Sequence, residues 1–294
     1  MGKRVCAVVI TYNRKALLEE TLQAIERQTV EPDHILLLDN ASTDDTLSMV
    51  AERFPSVEVV RQSENTGCAG GAHYGLKAAF AQGFEWCWLM DDDCEPRPDA
   101  LEKLLGALEL TDKLGTQPML LLSRDVWRDL KLHPYNLPWI DIRRPKHVWE
   151  ALQYGLLPIR WSVYASVLVR REAVERYGLP IPEYFLWNDD VEWTGAILRR
   201  EYGYWVLDSV AVHKTSSPNP PAQNDPERFY LEVRNRLWML RTTSWGPLGK
   251  AAWSWHLFAE MVHFLWLHRR KGWEIIRRGW KDGSGPLPNR TRAR

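Results

Sequence analysis

Within its first 120 residues the chain alternates short apolar runs with helically spaced segments, and that alternation restricts the fold more than any other property. Val5 to Ile10 is an unbroken apolar stretch, short enough for a strand buried on both faces. Leu17, Leu18, Thr21, Leu22 and Ile25 then recur at helical spacing, with Asn13 placed to cap that helix. Ile35 to Leu38 reads as a second strand, ending in Asp39-Asn40, and Ser42-Thr43-Asp44-Asp45 opens another helix. Val57 to Val60 is a third strand, followed by a glycine-rich stretch and a helix through Ala78-Ala79-Phe80; Trp86 to Met90 is a fourth. Repeated βα units predict an α/β fold with a doubly wound, largely parallel sheet, whose ligands bind beyond the carboxyl ends of the strands. Thr11, Asp39 and Asp91-Asp92-Asp93 all fall at such ends.

Three consecutive carboxylates repel one another and are costly to hold without a cation. A divalent metal with hard oxygen ligands, carrying a diphosphate, accounts for them most simply. The competing reading is an acidic helix start, since Pro96 and Pro98 follow and carboxylates favour a first turn.

Composition sets outer bounds. At 294 residues, 45% hydrophobic and with formal net charge zero, the chain is long enough for one large domain or a domain with an appendage, and gives no general attraction to nucleic acid. Cys6, Cys68, Cys87 and Cys94 show no metal-site spacing, and Cys6 and Cys87 lie inside apolar strands as expected of buried thiols. Without an apolar leader, a reducing cytoplasm is the expected setting. Of 16 tryptophans only Trp86 and Trp88 precede residue 120, while seven lie between Trp238 and Trp280, so the two ends of the chain face different tasks.

Four segments carry a resemblance: Val-Val-Ile-Thr-Tyr-Asn-Arg (8–14), Leu-Leu-Asp-Asn-Ala-Ser-Thr-Asp (37–44), Asn-Thr-Gly-Cys-Ala-Gly-Gly (65–71) and Trp-Leu-Met-Asp-Asp-Asp (88–93). In this order they resemble the inverting glycosyltransferases of family 2, and Phe-Leu-Trp-Asn-Asp-Asp-Val-Glu-Trp (185–193) and Val-His-Lys-Thr (212–215) continue the likeness. It looks closest to the branch of galactofuranosyl- and rhamnosyltransferases of cell-envelope glycan assembly. The resemblance implies a GT-A fold: a Rossmann-like, mixed, largely parallel sheet flanked by helices, with a helical C-terminal extension. It divides the chain into a catalytic domain, 1–240, with nucleotide-sugar (1–120) and acceptor (121–240) halves, and a Trp-rich basic extension, 241–294.

By the same resemblance Asp39 accepts from the imide of a uracil or thymine base, a charge-assisted contact, although a turn aspartate is also compatible. Thr11 lines the base and ribose pocket, or is simply a strand-end hydroxyl. Asn13 and Asn65 are assigned to nucleotide-sugar binding. Gly70, in a run of small residues, lets backbone approach the donor, or makes a structural turn. Asp91 and Asp93 match a metal-bridging Asp-x-Asp with His213 as third ligand, and Asp91 and Asp92 also border the nucleotide sugar. Mixed carboxylate and imidazole ligation is compatible with Mn²⁺, whereas Mg²⁺ prefers oxygens throughout. Asp190 matches the general base that takes the acceptor hydroxyl proton, with Asp189 and Glu192 orienting acceptor hydroxyls; the alternative is again a helix start. Trp161, Trp187 and Trp193 form a platform for acceptor sugar rings or pack in the core.

Tyr230, Arg234 and Asn235 resemble a signature of this branch, with Arg234 assigned to the diphosphate or to a core carboxylate. Ala251 to Leu267 is aromatic and apolar but contains His256, Glu260 and His263, which argues against a membrane span. Residues 268–281 hold six Lys/Arg against one Glu, with Trp273, Ile276 and Trp280 at helical spacing. Such a helix suits an anionic membrane surface, peripherally on the inner face of the cell membrane, or packs on the catalytic domain with a solvated basic face. The arginine-rich end, 289–294, is expected to lack fixed structure.

The expected activity is therefore metal-dependent transfer from a UDP- or dTDP-sugar, UDP-galactofuranose first and dTDP-rhamnose second, to a glycan or polyprenyl-linked saccharide. A sugar nucleotidyltransferase would want a glycine-rich, basic loop after the first strand, where Thr-Tyr-Asn-Arg stands. A non-catalytic carbohydrate-binding descendant would be expected to have lost Asp93, Asp190 or His213; all three are present.

Overall fold

The computed structural model describes residues 3–217 and 226–291. Strand β1 (Val5–Thr11) is buried along its whole length and runs parallel to β2 (His34–Asp39) and β4 (Trp86–Asp91), with β3 (Glu58–Arg61) parallel beyond β2. β4 pairs antiparallel with β9 (Ser166–Arg170), which pairs antiparallel with β6 (Pro118–Val126). β6 runs parallel to the long β10 (Tyr202–His213), and β8 (Leu156–Trp161) and β7 (Trp139–Ile140) close the order β3-β2-β1-β4-β9-β6-β10-β8-β7. The ladder, rather than hydrophobicity, sets the strand ends. Thr11 is in register with Asp39 and Asp39 with Arg61, so β2 takes in Asp39 and β3 shifts to Glu58–Arg61.

Alternation along β1 feeds two cores. Val5, Ala7 and Val9 pack with Leu18, Leu22 and Ile25 of α1 (Lys15–Glu26) and Leu101 and Leu104 of α4 (Ala100–Lys113). Cys6, Val8 and Ile10 face Leu76 of α3 (Gly67–Ala81) and, farther along, Val174 of α6 (Arg171–Tyr177) and Trp193 of α7 (Asp189–Ile197). Each fully buried aliphatic or aromatic side chain contributes roughly 1.5–3 kcal/mol. Trp88 also satisfies its indole, donating to Ser166 Oγ at 3.0 Å.

Two sequence readings fall, and a further segment proves to be structured. The acidic trio does not open a helix: the short strand β5 (Cys94–Pro96) follows it, and α4 begins only at Ala100. Asn13 does not cap α1, which has no side-chain cap; with φ 54° its Oδ1 instead accepts from the Thr43 and Asp44 amides at 2.7 and 3.3 Å. Residues 122–160, without periodicity in sequence, include part of β6, all of β7 and α5 (Pro145–Leu152), and most of β8. Ala151 is the one buried residue of α5, too little apolar surface to leave a helical signature.

The C-terminal region is a helical layer. α8 (Phe229–Arg241) is followed by α9 (Pro247–Gly283), which breaks at Arg269 (φ 47°, ψ −123°) into two arms. Both arms lie on α8. Phe264 of the first stacks on Phe229 with ring centroids 4.0 Å apart. In the second, a Cβ at Gly279 would stand 2.8 Å from the Tyr230 carbonyl oxygen, so glycine permits the close approach. Ile275 and Ile276 are buried in this contact. Of the three apolar residues at helical spacing in 268–281, Ile276 belongs to the core, while Trp273 and Trp280 stay exposed. No helix among the described residues is long and apolar enough to cross a membrane. The terminal segment is fixed as far as Thr291, whose carbonyl accepts from the Leu179 amide at 3.1 Å; residues 292–294 of the expected unstructured end lie outside the described residues.

Candidate active site

β5 is the element that assembles the acidic end of β4 with the end of β10. It pairs antiparallel with β10 so that Cys94 is in register with His213, and the Lys214 amide donates to the Asp93 carbonyl at 2.7 Å. His213, 120 residues from Asp93 in sequence, thus sets Nε2 3.0 Å from Asp93 Oδ1. Asp91, Asp93 and His213 each offer a ligand atom within 4.8 Å of the others, and two carboxylates with an imidazole fit a divalent cation. Burial disfavours the imidazolium, but the hydrogen bond and charge of Asp93, with Asp91 and Asp125 behind, outweigh it and lift His213 to about 9. Burial also raises Asp93, yet the bond from His213 and the Arg14 guanidinium bring it down to about 2. Burial and the neighbouring Asp93 push Asp91 up. Arg14 Nη1 lies 2.8 Å from Asp93 Oδ2 and 3.2 Å from Asp92 Oδ1. Asp92, raised to about 7 by burial against the pull of Arg14, accepts from Thr11 Oγ1 at 2.8 Å. Thr11 and Asp92 therefore form one buried wall beside the trio.

Sequence reasoning missed the layer behind His213. Asn136 Nδ2 lies 2.5 Å from His213 Nδ1 and 3.3 Å from Asp125 Oδ2, and the His133 ring stacks on His213 at 5.3 Å. Burial, countered by His213, raises Asp125 to about 7. These residues sit in the segment without periodicity, Asp125 in β6 and His133 and Asn136 in the loop that follows it.

At the end of β2, Asp39 is fully buried and accepts from the Ser42 amide at 3.1 Å, with Arg61 Nε 3.4 Å away. Asn65 Oδ1 accepts from the Gly67 amide at 2.9 Å, and Asn40 bridges Thr66 and the Gly67 carbonyl. A Cβ at Gly70 would meet Thr66 at 2.3 Å, so tight helix packing accounts for this small residue. Gly67, at φ +71°, sits against Phe185: a Cβ there would lie 2.0 Å from the Phe185 carbonyl oxygen, which accepts from the Ala69 amide at 3.2 Å. α3 is thus docked on the loop that leads to the second acidic cluster.

That loop is strained. Phe185, Trp187 and Asn188 all have positive φ. Asn235 holds it by donating to the carbonyls of Tyr184, Leu186 and Trp187 at 3.0, 2.8 and 2.8 Å. Arg234 reinforces the clamp at the Glu183 and Tyr184 carbonyls, 2.9 Å each, and stacks over Trp238. Its guanidinium is spent on this loop, which corrects its expected place at the diphosphate. Asp189 and Asp190 begin α7 immediately afterwards, so the helix start and the acidic cluster coincide. Asp189 is buried with Oδ2 unpartnered among the described residues, and burial with the charge of Asp190 drives it well up. Asp190 is half-buried and accepts the Val191 amide at 2.7 Å; burial raises it to about 7, and the charge of Asp91 adds to the rise against that amide. Cys68 lies between the clusters, its Sγ 3.6 Å from Asp91 Oδ1 and its thiol pushed up first by burial and then by Asp91, Asp189 and Asp190.

Two further expectations are corrected. Glu192 is turned away, accepting from Ser244 Oγ at 2.7 Å and pairing with Arg290. Trp193, at 0% exposure, donates to the Gly178 carbonyl and is a core residue, not part of a platform. Trp161 and Trp187 are half-buried, and Trp161 tilts against Trp253 with centroids 5.9 Å apart.

Comparison with known proteins agrees with this arrangement. Galactofuranosyltransferase GlfT1 of Mycobacterium tuberculosis is 29% identical over 298 residues, covering 94% of each chain, while the match to its Mycolicibacterium smegmatis namesake covers 63% of that protein. The N-acetylglucosaminyl-diphospho-decaprenol L-rhamnosyltransferase of M. tuberculosis is 25% identical over 286 residues, covering 86% of this chain and 92% of that one. Among solved structures, the mannosyltransferase PcManGT of Pyrobaculum calidifontis, in complex with GDP-Man and Mn²⁺, superposes with TM-score 0.56 at 20% identity, over 97% of this chain and 76% of that one. At that identity the likeness establishes the GT-A fold alone. The sequence profile described as glycosyl transferase family 2 matches residues 6–177, more than half of the chain, and the protein belongs to glycosyl transferase family 2.

Proposed function

We propose that the protein is a metal-dependent inverting glycosyltransferase that moves a sugar from a UDP-sugar, UDP-galactofuranose first, to a hydroxyl of a lipid-linked saccharide. One observation carries the reading: Asp190 is half-buried, raised to about 7, and close enough to the metal-type trio for the charge of Asp91 to act on it. A carboxylate with that basicity is matched to general-base work near neutral pH. Asp190 takes the acceptor hydroxyl proton as the oxygen attacks the anomeric carbon and the bond from that carbon to the diphosphate breaks on the opposite face. Asp189, buried beside it, orients the acceptor hydroxyl. Asp91, Asp93 and His213 would hold Mn²⁺, or less well Mg²⁺, and a bound ion supplies charge neutralisation for the departing nucleoside diphosphate. Asp39 receives the base imide, exchanging its bond to Ser42, while Thr11, Asn13, Asn65 and Asp92 frame the donor pocket.

The relatives named as galactofuranosyl and decaprenol-linked rhamnosyl transferases favour a lipid-linked acceptor, and dTDP-rhamnose is the second donor. An acceptor on a lipid carrier fits peripheral attachment to the inner membrane face through basic residues of 268–281. Calorimetry with UDP, dTDP, GDP and CDP, each with and without Mn²⁺, tests the donor site. Metal-dependent UDP binding is the expected result, a dTDP preference moves the donor to rhamnose, and no binding by any of the four sinks the reading.

A further inference from the structure

The two arms of α9 enclose an open groove of about 520 Å³. Its walls are Phe258, Met261, Val262 and Leu265 of the first arm against Trp273, Ile276 and Trp280 of the second. Phe258, Val262, Trp273 and Trp280 are 52, 50, 58 and 49% exposed, so a contiguous apolar surface lies open where a folded domain would ordinarily cover it. Arg277 and Lys281, one helical turn apart on the second arm and both exposed, line the groove with their alkyl stems and carry their charges at its solvent edge. Their neighbours Lys271 and Arg278 are engaged with Glu227, whereas Arg277 and Lys281 have no ion-pair partner among the described residues.

We infer that this groove binds the isoprenoid chain of a polyprenyl diphosphate carrier, with Arg277 and Lys281 meeting its anionic head. The inference rests on the lipid-linked acceptor proposed above and adds the place where the lipid is held. Three observations select this occupant. The surface is a concave groove between two helices, a shape for a chain, whereas a bilayer surface is met by a convex or flat face. Apolar walls with paired cations at one edge match an amphiphile with a hydrocarbon body and an anionic end. The groove also shares its helix with the acceptor side: Trp253 stacks with Trp161 and Trp245 at 5.9 and 5.5 Å, and Met261 lies eight residues farther along, roughly 12 Å at helical rise. A saccharide near Trp161 and a chain in the groove therefore fall within the reach of one lipid-linked molecule.

The test is calorimetric titration of the full chain with geranylgeranyl diphosphate below its micellar concentration, with inorganic diphosphate as control. Saturable one-to-one binding is expected, at least tenfold weaker in Val262→Glu and weakened in Arg277→Glu, with no comparable binding of inorganic diphosphate. Both positions are solvent-facing, and unchanged Mn²⁺-dependent UDP binding in the variants establishes that they fold. Absent or non-saturable binding overturns the inference, as does equal affinity in Val262→Glu. If Val262→Glu loses phosphatidylglycerol vesicles while geranylgeranyl diphosphate never saturates, the face is a bilayer contact. A change in oligomeric mass in Val262→Glu without an effect on the lipid gives the groove to a second copy of the chain. Lipid binding without any nucleotide binding would leave the groove standing and remove the transferase reading, and the converse would do the reverse.

Discussion

Arg290 forms an ion pair with Glu192 across 98 residues of sequence, joining the last described segment of the chain to the helix that begins with Asp189 and Asp190. Glu192 is almost wholly buried and Arg290 largely so. Arg290→Ala would leave a buried carboxylate without its counter-charge, a loss of about 3 kcal/mol. Urea denaturation should show this as a lower midpoint. An unchanged midpoint would mean that Ser244 alone satisfies Glu192.

Asp190→Asn should lower transfer by roughly 10²–10⁴-fold, the range of a lost general base. UDP affinity should be nearly unchanged, because the proposed role of the residue is toward the acceptor. A large loss of nucleotide affinity would reassign Asp190 to the donor site.

The pH profile follows from the same group. Burial, with Asp91 adding to it, raises Asp190 to about 7. The ionised form is the base, so kcat/KM should fall as pH drops through about 7, by about tenfold per unit well below it, and level off above. A profile flat from about pH 5.5 to 8 would exclude Asp190 as the titrating base.

Asp93→Ala removes the carboxylate that touches both His213 and Arg14. Calorimetry should then find UDP binding no longer strengthened by Mn²⁺. Undiminished Mn²⁺ dependence would move the cation elsewhere.

Asn235→Ala withdraws the donor shared by three carbonyls of the strained loop. A stability loss of about 2 kcal/mol is expected, with a fall in kcat that exceeds any change in donor KM. Steady-state kinetics beside thermal denaturation would separate the two effects; a fall in stability with kcat intact would make the clamp purely structural.

The sequence alone determined the βα alternation, the strand-end positions of Thr11, Asp39 and Asp91 to Asp93, and the second acidic cluster. These are legible because backbone periodicity and strand polarity are local properties, written in residues two to four apart. Only the tertiary structure decided which of these groups meet. The antiparallel pairing of β5 with β10 brings His213 to Asp93, and no local pattern encodes that register. The Asp125 and Asn136 support behind His213, the Asn235 clamp and the Arg290 tie to Glu192 are likewise contacts between distant segments. Tertiary packing also withdrew candidates. Trp193 and Ile276 entered cores, and Arg234 and Glu192 found buried partners, because an apolar ring or a charged group settles where burial and hydrogen bonding are satisfied together.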